Sequence, residues 1–192
     1  DGEDFKTVRA QDWIDDSEEA LQVARCLGEK VTLVAMSSGV PLALHLAIQH
    51  PNEIASLVLL SPNFHPKDPR AKIVSGPFGP QIARLLIGDY REFKSDNEEH
   101  AYYWTSRYRA EGIAALMDVV NYAATLDLKK IQIPVLMLYT TKDKVVDVDL
   151  ALKKFAEFGS AKKKAVEVKT ATRHELAGRI LSPQAVEEVE TA

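Results

Sequence analysis

Cysteine is nearly absent: Cys26 is the only one in 192 residues, so no internal disulfide can form. The lone thiol leaves the redox compartment undetermined, with the cytoplasm favoured, and without a nearby His or Cys at metal spacing it reads as packing. No apolar run approaches the ~20 residues that cross a bilayer, and no signal-like segment opens the chain, which starts at Asp1 rather than Met. Basic charge is outweighed, with 24 Lys and Arg against 28 Asp and Glu for a net charge of −4. That balance argues against nucleic acid as the main partner, since phosphate recognition draws on a concentrated basic surface. The only basic run, Lys162-Lys163-Lys164, reads as a solvated turn. A glycine-rich phosphate loop is missing, so nucleotide chemistry has no support. His174-Glu175 opens like a zinc-protease helix, but Gly178 occupies the place of the second histidine. Asp143, Asp147 and Asp149 lack calcium-loop spacing. No metal or cofactor is expected.

The hydrophobic content, 46%, suffices for one substantial core but not two comfortable domains, so one domain with an insertion is expected. Its organising stretch runs over residues 31–51. Val31-Thr32-Leu33-Val34-Ala35 is apolar without alternation, the pattern of a strand buried on both faces of a parallel sheet. A helix follows at once, with Leu42, Leu44, Leu46, Ala47 and Ile48 as its apolar surface, Pro41 in its first turn and His50-Pro51 at its end. A strand that turns directly into a helix leaves one residue at the apex, with small residues needed two positions to either side. Ser37 meets that condition with Ala35 and Gly39; Ser38 would place Met36 and Val40 there. A hydroxyl at a helix N-terminus beside unpaired amides is placed for nucleophilic attack, although the same pentapeptide also describes a plain turn serine.

The first thirty residues read as a loop and one structural helix over about 10–27, with Trp13, Ile14, Ala20, Leu21, Ala24 and Leu27 at helical spacing and Trp13 in the core. Residues 55–60 form a second buried strand closed by Ser61-Pro62. From Asn63 to Lys130 no clear strand occurs. A Pro/Gly-rich opening leads into helical stretches near 81–87 and 98–125. The aromatics here, Phe64, Phe78, Phe93, Tyr102, Tyr103, Trp104, Tyr108 and Tyr122, are expected mostly to form the core of this excursion, with some lining an apolar pocket. The sheet resumes at 134–139 and again near 165–168, with a helix over about 148–158 between. Asp143 lies in the loop beyond the third strand and His174 in the loop beyond the fourth. Histidine can accept the serine proton and return it to a leaving group near neutral pH, and an acid is needed to hold its tautomer. Asp147 is a second candidate acid that reads better as a helix cap. His45, His50, His65 and His100 read as structural or surface histidines.

Ala35-Met36-Ser37-Ser38-Gly39 resembles the G-x-S-x-G nucleophile elbow of the α/β-hydrolase superfamily, with Ala35 in place of the first glycine, and the order Ser37, Asp143, His174 is the superfamily's order. Asp12-Trp13, residues 42–47 after the elbow, and Ile133-Pro134-Val135 resemble the carboxylesterase and monoacylglycerol-lipase-like branch. The histidine motif departs from the family at Arg173, where glycine usually stands. The resemblance implies an α/β fold: the C-terminal half of a hydrolase sheet of about four parallel strands flanked by helices, core 1–62 and 131–192, with a helical cap over 63–130. It implies Ser37 as nucleophile, His174 as general base and acid, Asp143 as orienting carboxylate and the Ser38 amide as one oxyanion donor. The expected activity is hydrolysis of a carboxylic ester with an apolar acyl group. Acyl transfer, amide or carbon–carbon hydrolysis, and a non-catalytic ligand- or protein-binding fragment are the alternatives. Because the family's elbow strand normally follows about four others, the strand 31–35 is expected to be an open edge, covered by a missing N-terminal segment or a second copy of the chain.

Overall fold

The computed structural model describes residues 2–192. Helix α1 (Ala10–Leu27) leads to strand β1 (Val31–Met36), which turns into α2 (Gly39–Gln49) and returns as β2 (Ile54–Leu60). After the excursion come β5 (Val135–Tyr139), α6 (Val148–Ala156), β6 (Lys163–Glu167) and a short α7 (Val186–Glu190). The four long strands form one sheet in the order β1-β2-β5-β6, and every pairing is parallel. All four carboxyl ends therefore lie along one edge, which is what lets residues far apart in sequence converge there.

The main core lies between one sheet face and the helices that cover it, with Leu44 and Leu46 of α2, Leu57 and Leu59 of β2, Met137 of β5 and Phe155 of α6. The opposite face is covered by the C-terminal segment through Leu176 and Ala185, packed near Leu60, Leu138 and Val168. This cover does not extend across β1. Val31, Leu33 and Ala35 pack on the main core, whereas Thr32 is exposed and Val34 is 67% exposed. The expectation of a strand buried on both faces is thus wrong for β1, the edge of the sheet. Thr32 and Ser56 answer the open face with a hydroxyl–hydroxyl hydrogen bond of 3.0 Å.

Helix α1 has the expected bounds but buries less: among its apolar residues Leu21 is buried, while Ala20 and Leu27 face solvent. Trp13 is half-buried, edge-on to Phe5, and Cys26 is exposed rather than packed. A buried-side network ties α1 down instead: the Glu18 carboxylate accepts from Nε2 of His45 at 2.9 Å and of His50 at 2.7 Å, and His45 Nδ1 accepts from the Tyr122 hydroxyl at 2.6 Å. Lys162-Lys163-Lys164 is not a solvated turn, because Lys163 and Lys164 lie in β6. The Lys163 ammonium donates to the carbonyls of Phe155, Ala156 and Phe158, at and just past the end of α6.

The excursion holds α3 (Gly79–Ile87), β3 (Tyr90–Glu92), α4 (Glu98–Tyr103), β4 (Arg107–Arg109) and α5 (Glu111–Ala123). The continuous helical stretch expected near 98–125 is broken, because β3 and β4 pair as an antiparallel ladder. Arg107 sits over the Tyr90 ring at 3.3 Å, a cation–π contact that joins the two short strands. The excursion's core is aliphatic (Val74, Ala83, Ala110, Met117, Val120). Its aromatics mostly do not fill it: Phe64 joins the main core, while Phe78, Tyr102, Tyr103 and Trp104 are exposed. With only six residues, α4 turns inward through His100, stacked on Phe93, and leaves its tyrosines outside.

Candidate active site

Ser37 stands between β1 and α2 at φ 52°, left-handed backbone that a non-glycine residue adopts rarely and at a cost. Its amide donates to the Leu60 carbonyl at 2.9 Å, and its carbonyl accepts from Val40 at 3.1 Å. The turn is held by the neighbouring strand below and the helix above. Buried Val40, Pro41, Ala43, Leu44, Leu46 and Ala47 seat that helix on the core. The steric argument from small neighbours holds less well. A Cβ added at Gly39 would meet nothing within 4 Å beyond its chain neighbours and its own helix backbone.

Asp143 lies beyond β5 and is 1% exposed. Its Oδ1 accepts from the amides of Val145 at 2.7 Å and Val146 at 3.1 Å, leaving Oδ2 to His174 Nδ1 at 2.7 Å. Burial pushes this carboxyl upward more than any other single influence. The His174 hydrogen bond and charge and the two amides outweigh it together, holding Asp143 below the usual carboxylate range. His174, in the loop beyond β6 and 7% exposed, is linked by its second nitrogen, Nε2, to Ser37 Oγ at 2.8 Å. An ionised carboxylate only accepts, so Nδ1 carries the imidazole proton and Nε2 accepts from the serine hydroxyl. Three residues separated by 137 and 31 positions form one chain of hydrogen bonds.

Asp147 does not join it: its carboxylate caps α6 by accepting from Leu150 at 2.9 Å. His65 and His100 also stand apart, and among the described residues no cluster of His, Cys, Asp or Glu could hold a metal ion. Arg173, in the place of the expected glycine, pairs with Asp96 at 2.6 Å and Glu175 at 3.4 Å. Next to Asp96, the Asn97 side chain donates to the Ile180 carbonyl at 3.0 Å. The Asp96 and Asn97 contacts dock the start of α4 on the segment around His174, and Tyr103, Trp104, Thr105 and Ile180 line an open hollow of about 480 Å³. Sequence reasoning passed over Asp96, Asn97, Ser61 and Asn63. The last two carry a usable signal, since they follow a strand at the same sheet edge as Ser37, Asp143 and His174.

A parallel sheet that brings serine, aspartate and histidine to one edge in that order defines an α/β hydrolase of the serine type. Residues 1–178 match the model of the serine aminopeptidase S33 family, Hydrolase_4. The chain belongs to that family. A search among curated proteins found no match. Among solved structures, the chain is similar to a metagenome-derived lipolytic enzyme of the LipS and LipT pair (TM-score 0.71, 16% identity, 98% of this chain and 76% of that one). It is also similar to the monoacylglycerol lipase of Paleococcus ferrophilus (0.61, 20%, 88% and 68%). A soluble variant of the Saccharomyces cerevisiae monoglyceride lipase, solved with a substrate analogue, matches at 0.65 and 18% over 94% and 65%. At these identities the likeness establishes the fold. Among the described residues no helix is long and apolar enough to cross a membrane.

Proposed function

We propose that the chain hydrolyses carboxylic esters through an acyl-enzyme on Ser37. The observation that carries this reading is the continuous hydrogen-bond chain from Ser37 Oγ through His174 to Asp143. Ser37 Oγ attacks the ester carbonyl carbon as its proton passes to His174 Nε2, and the tetrahedral oxyanion takes the Ser38 amide as one donor. Collapse breaks the bond to the leaving alkoxide, which takes the proton from Nε2. Water then attacks the acyl-serine, giving a proton to His174 that returns to Ser37 Oγ as the acid departs. Asp143 holds the reactive tautomer and stabilises the imidazolium without itself taking the proton.

Residues 63–130 act in this reading as a cap, and the hollow beside the histidine loop offers an apolar surface for the acyl group through Tyr103, Trp104 and Ile180. The named activities of the similar structures, lipase and monoglyceride lipase, favour esters. The family's description as serine aminopeptidases favours a second reading, hydrolysis of an amide next to a free amino group by the same residues. Intact-mass trapping with short- and long-chain p-nitrophenyl esters, beside aminoacyl p-nitroanilides, separates them. Acyl adducts and turnover with the esters are expected, and turnover of the anilides alone overturns the ester reading.

A further inference from the structure

We propose that Ser61 and Asn63, just beyond the carboxyl end of β2, are positioning residues that set the Ser37 elbow against the His174 loop; the inference rests on the triad reading above. Strand β2 is hydrogen-bonded on both sides, to β1, which leads to Ser37, and to β5, which leads to Asp143. Its end is therefore anchored from both sides, as the end of β5 is. Ser61 is 1% exposed and lies at φ 44°, the only described non-glycine residue besides Ser37 with left-handed backbone. Its amide donates to the Leu138 carbonyl at 2.9 Å. Its hydroxyl donates to the carbonyl of His174 itself at 2.7 Å.

Two residues further, Asn63 is 4% exposed and grips the other partner. Its backbone amide donates to the Ser37 carbonyl at 3.2 Å, and its side-chain Nδ2 donates to Ser38 Oγ at 3.0 Å. Buried polar groups are costly unless hydrogen-bonded; the Ser61 hydroxyl and the two Asn63 nitrogens are bonded to the backbone of the proposed base, the backbone of the proposed nucleophile and the residue offering the oxyanion amide, while Asn63 Oδ1 is buried without a partner among the described residues. The 2.8 Å contact between Ser37 and His174 is thus bridged by the tripeptide that directly follows a central strand. Neither residue touches the reacting atoms; each acts through a residue that does.

The test uses the full chain and a fluorophosphonate, with the labelling rate followed by intact mass across pH and the thermal midpoint measured in parallel. Ser61→Gly takes left-handed backbone without a Cβ penalty but loses the bond to His174. Its labelling at 20 °C is expected to fall about tenfold to a hundredfold, since a misplacement near 1 Å costs on the order of a hundredfold, while the thermal midpoint falls only by the few degrees that one lost buried hydrogen bond accounts for. Asn63→Asp sets a carboxylate beside the elbow, which favours the protonated imidazole and moves the acid limb of the profile to higher pH. Labelling of both variants within about threefold of wild type, with an unshifted profile, overturns the inference. So does a rate that falls only in step with the thermal midpoint, which marks general scaffolding. If wild type labels no faster than Ser37→Ala, the triad reading fails and this inference fails with it. Labelling that depends on Ser37 but is indifferent to both variants overturns this inference alone.

Discussion

Replacing Asp143 by asparagine tests the role of the acid with almost no change of shape. Asp143 Oδ1 receives two amide hydrogens and Oδ2 receives the proton on His174 Nδ1, so all three neighbours are donors. Asparagine has one acceptor oxygen and one donor nitrogen. With its oxygen toward Val145 and Val146, the NH₂ faces the Nδ1 proton; with its oxygen toward His174, the NH₂ faces two amides. Either arrangement leaves a buried donor against a donor at a site 1% exposed, which costs ~1–3 kcal/mol. In the first arrangement the imidazole escapes by moving its proton to Nε2, and it then no longer accepts from Ser37. A wrong tautomer lowers turnover by ~10⁴, or ~5.4 kcal/mol of activation free energy at 1.36 kcal/mol per tenfold. Ester hydrolysis and fluorophosphonate labelling, measured on protein shown to be folded by circular dichroism, should both fall by about that factor. Asp147→Asn, which alters only the α6 cap, should label as wild type does. An Asp143→Asn protein labelling within about tenfold of wild type would refute the tautomer argument, and loss confined to Asp147→Asn would transfer the role of the acid.

Leu44→Ala empties a fully buried position on α2 and should cost ~2–5 kcal/mol; at ~2–4 °C per kcal/mol for a chain of this size, the thermal midpoint falls by ~4–20 °C, read by calorimetry, while labelling at 20 °C is retained. The Asp143 carboxyl is held below its ordinary value, so its contribution to stability is fully present above about pH 4. It is lost as pH falls through the depressed value. Acid unfolding followed by fluorescence should therefore show a smaller low-pH loss in Asp143→Asn than in wild type. Arg173→Gly removes the ion pair that docks α4 on the histidine loop. Limited proteolysis should cut faster between β3 and α5, and high salt should speed the same cuts in wild type by screening the pair.

The sheet strands were legible because parallel strands write themselves as apolar runs ended by small or polar residues. Residues 31–36, 54–60 and 135–139 each differ from expectation by one residue at one end. Strand β6 was shifted further, since its first two residues are Lys163 and Lys164 and its signal is charge rather than hydrophobicity. Convergence at the site was legible from topology: a residue just past a parallel strand lies on a known edge. What escaped was set by tertiary contact. The Asp96–Arg173 pair joins residues 77 apart, and no local pattern announces it. The aromatic positions of the excursion were misjudged because hydrophobicity says that a residue prefers burial, whereas the six residues of α4 leave no second face to bury. The short strands β3 and β4 were hidden for a similar reason, since three residues hold no period and their pairing depends on Tyr90 beneath the two arginines.

The most direct measurement of the central claim is the intact mass of the chain after fluorophosphonate treatment, taken beside Ser37→Ala and His174→Ala. A single phosphonate adduct on wild type, mapped to Ser37 and absent from both variants, is the expected result. An adduct that persists in Ser37→Ala, or no adduct on a folded wild-type sample, would contradict an activated serine at this position.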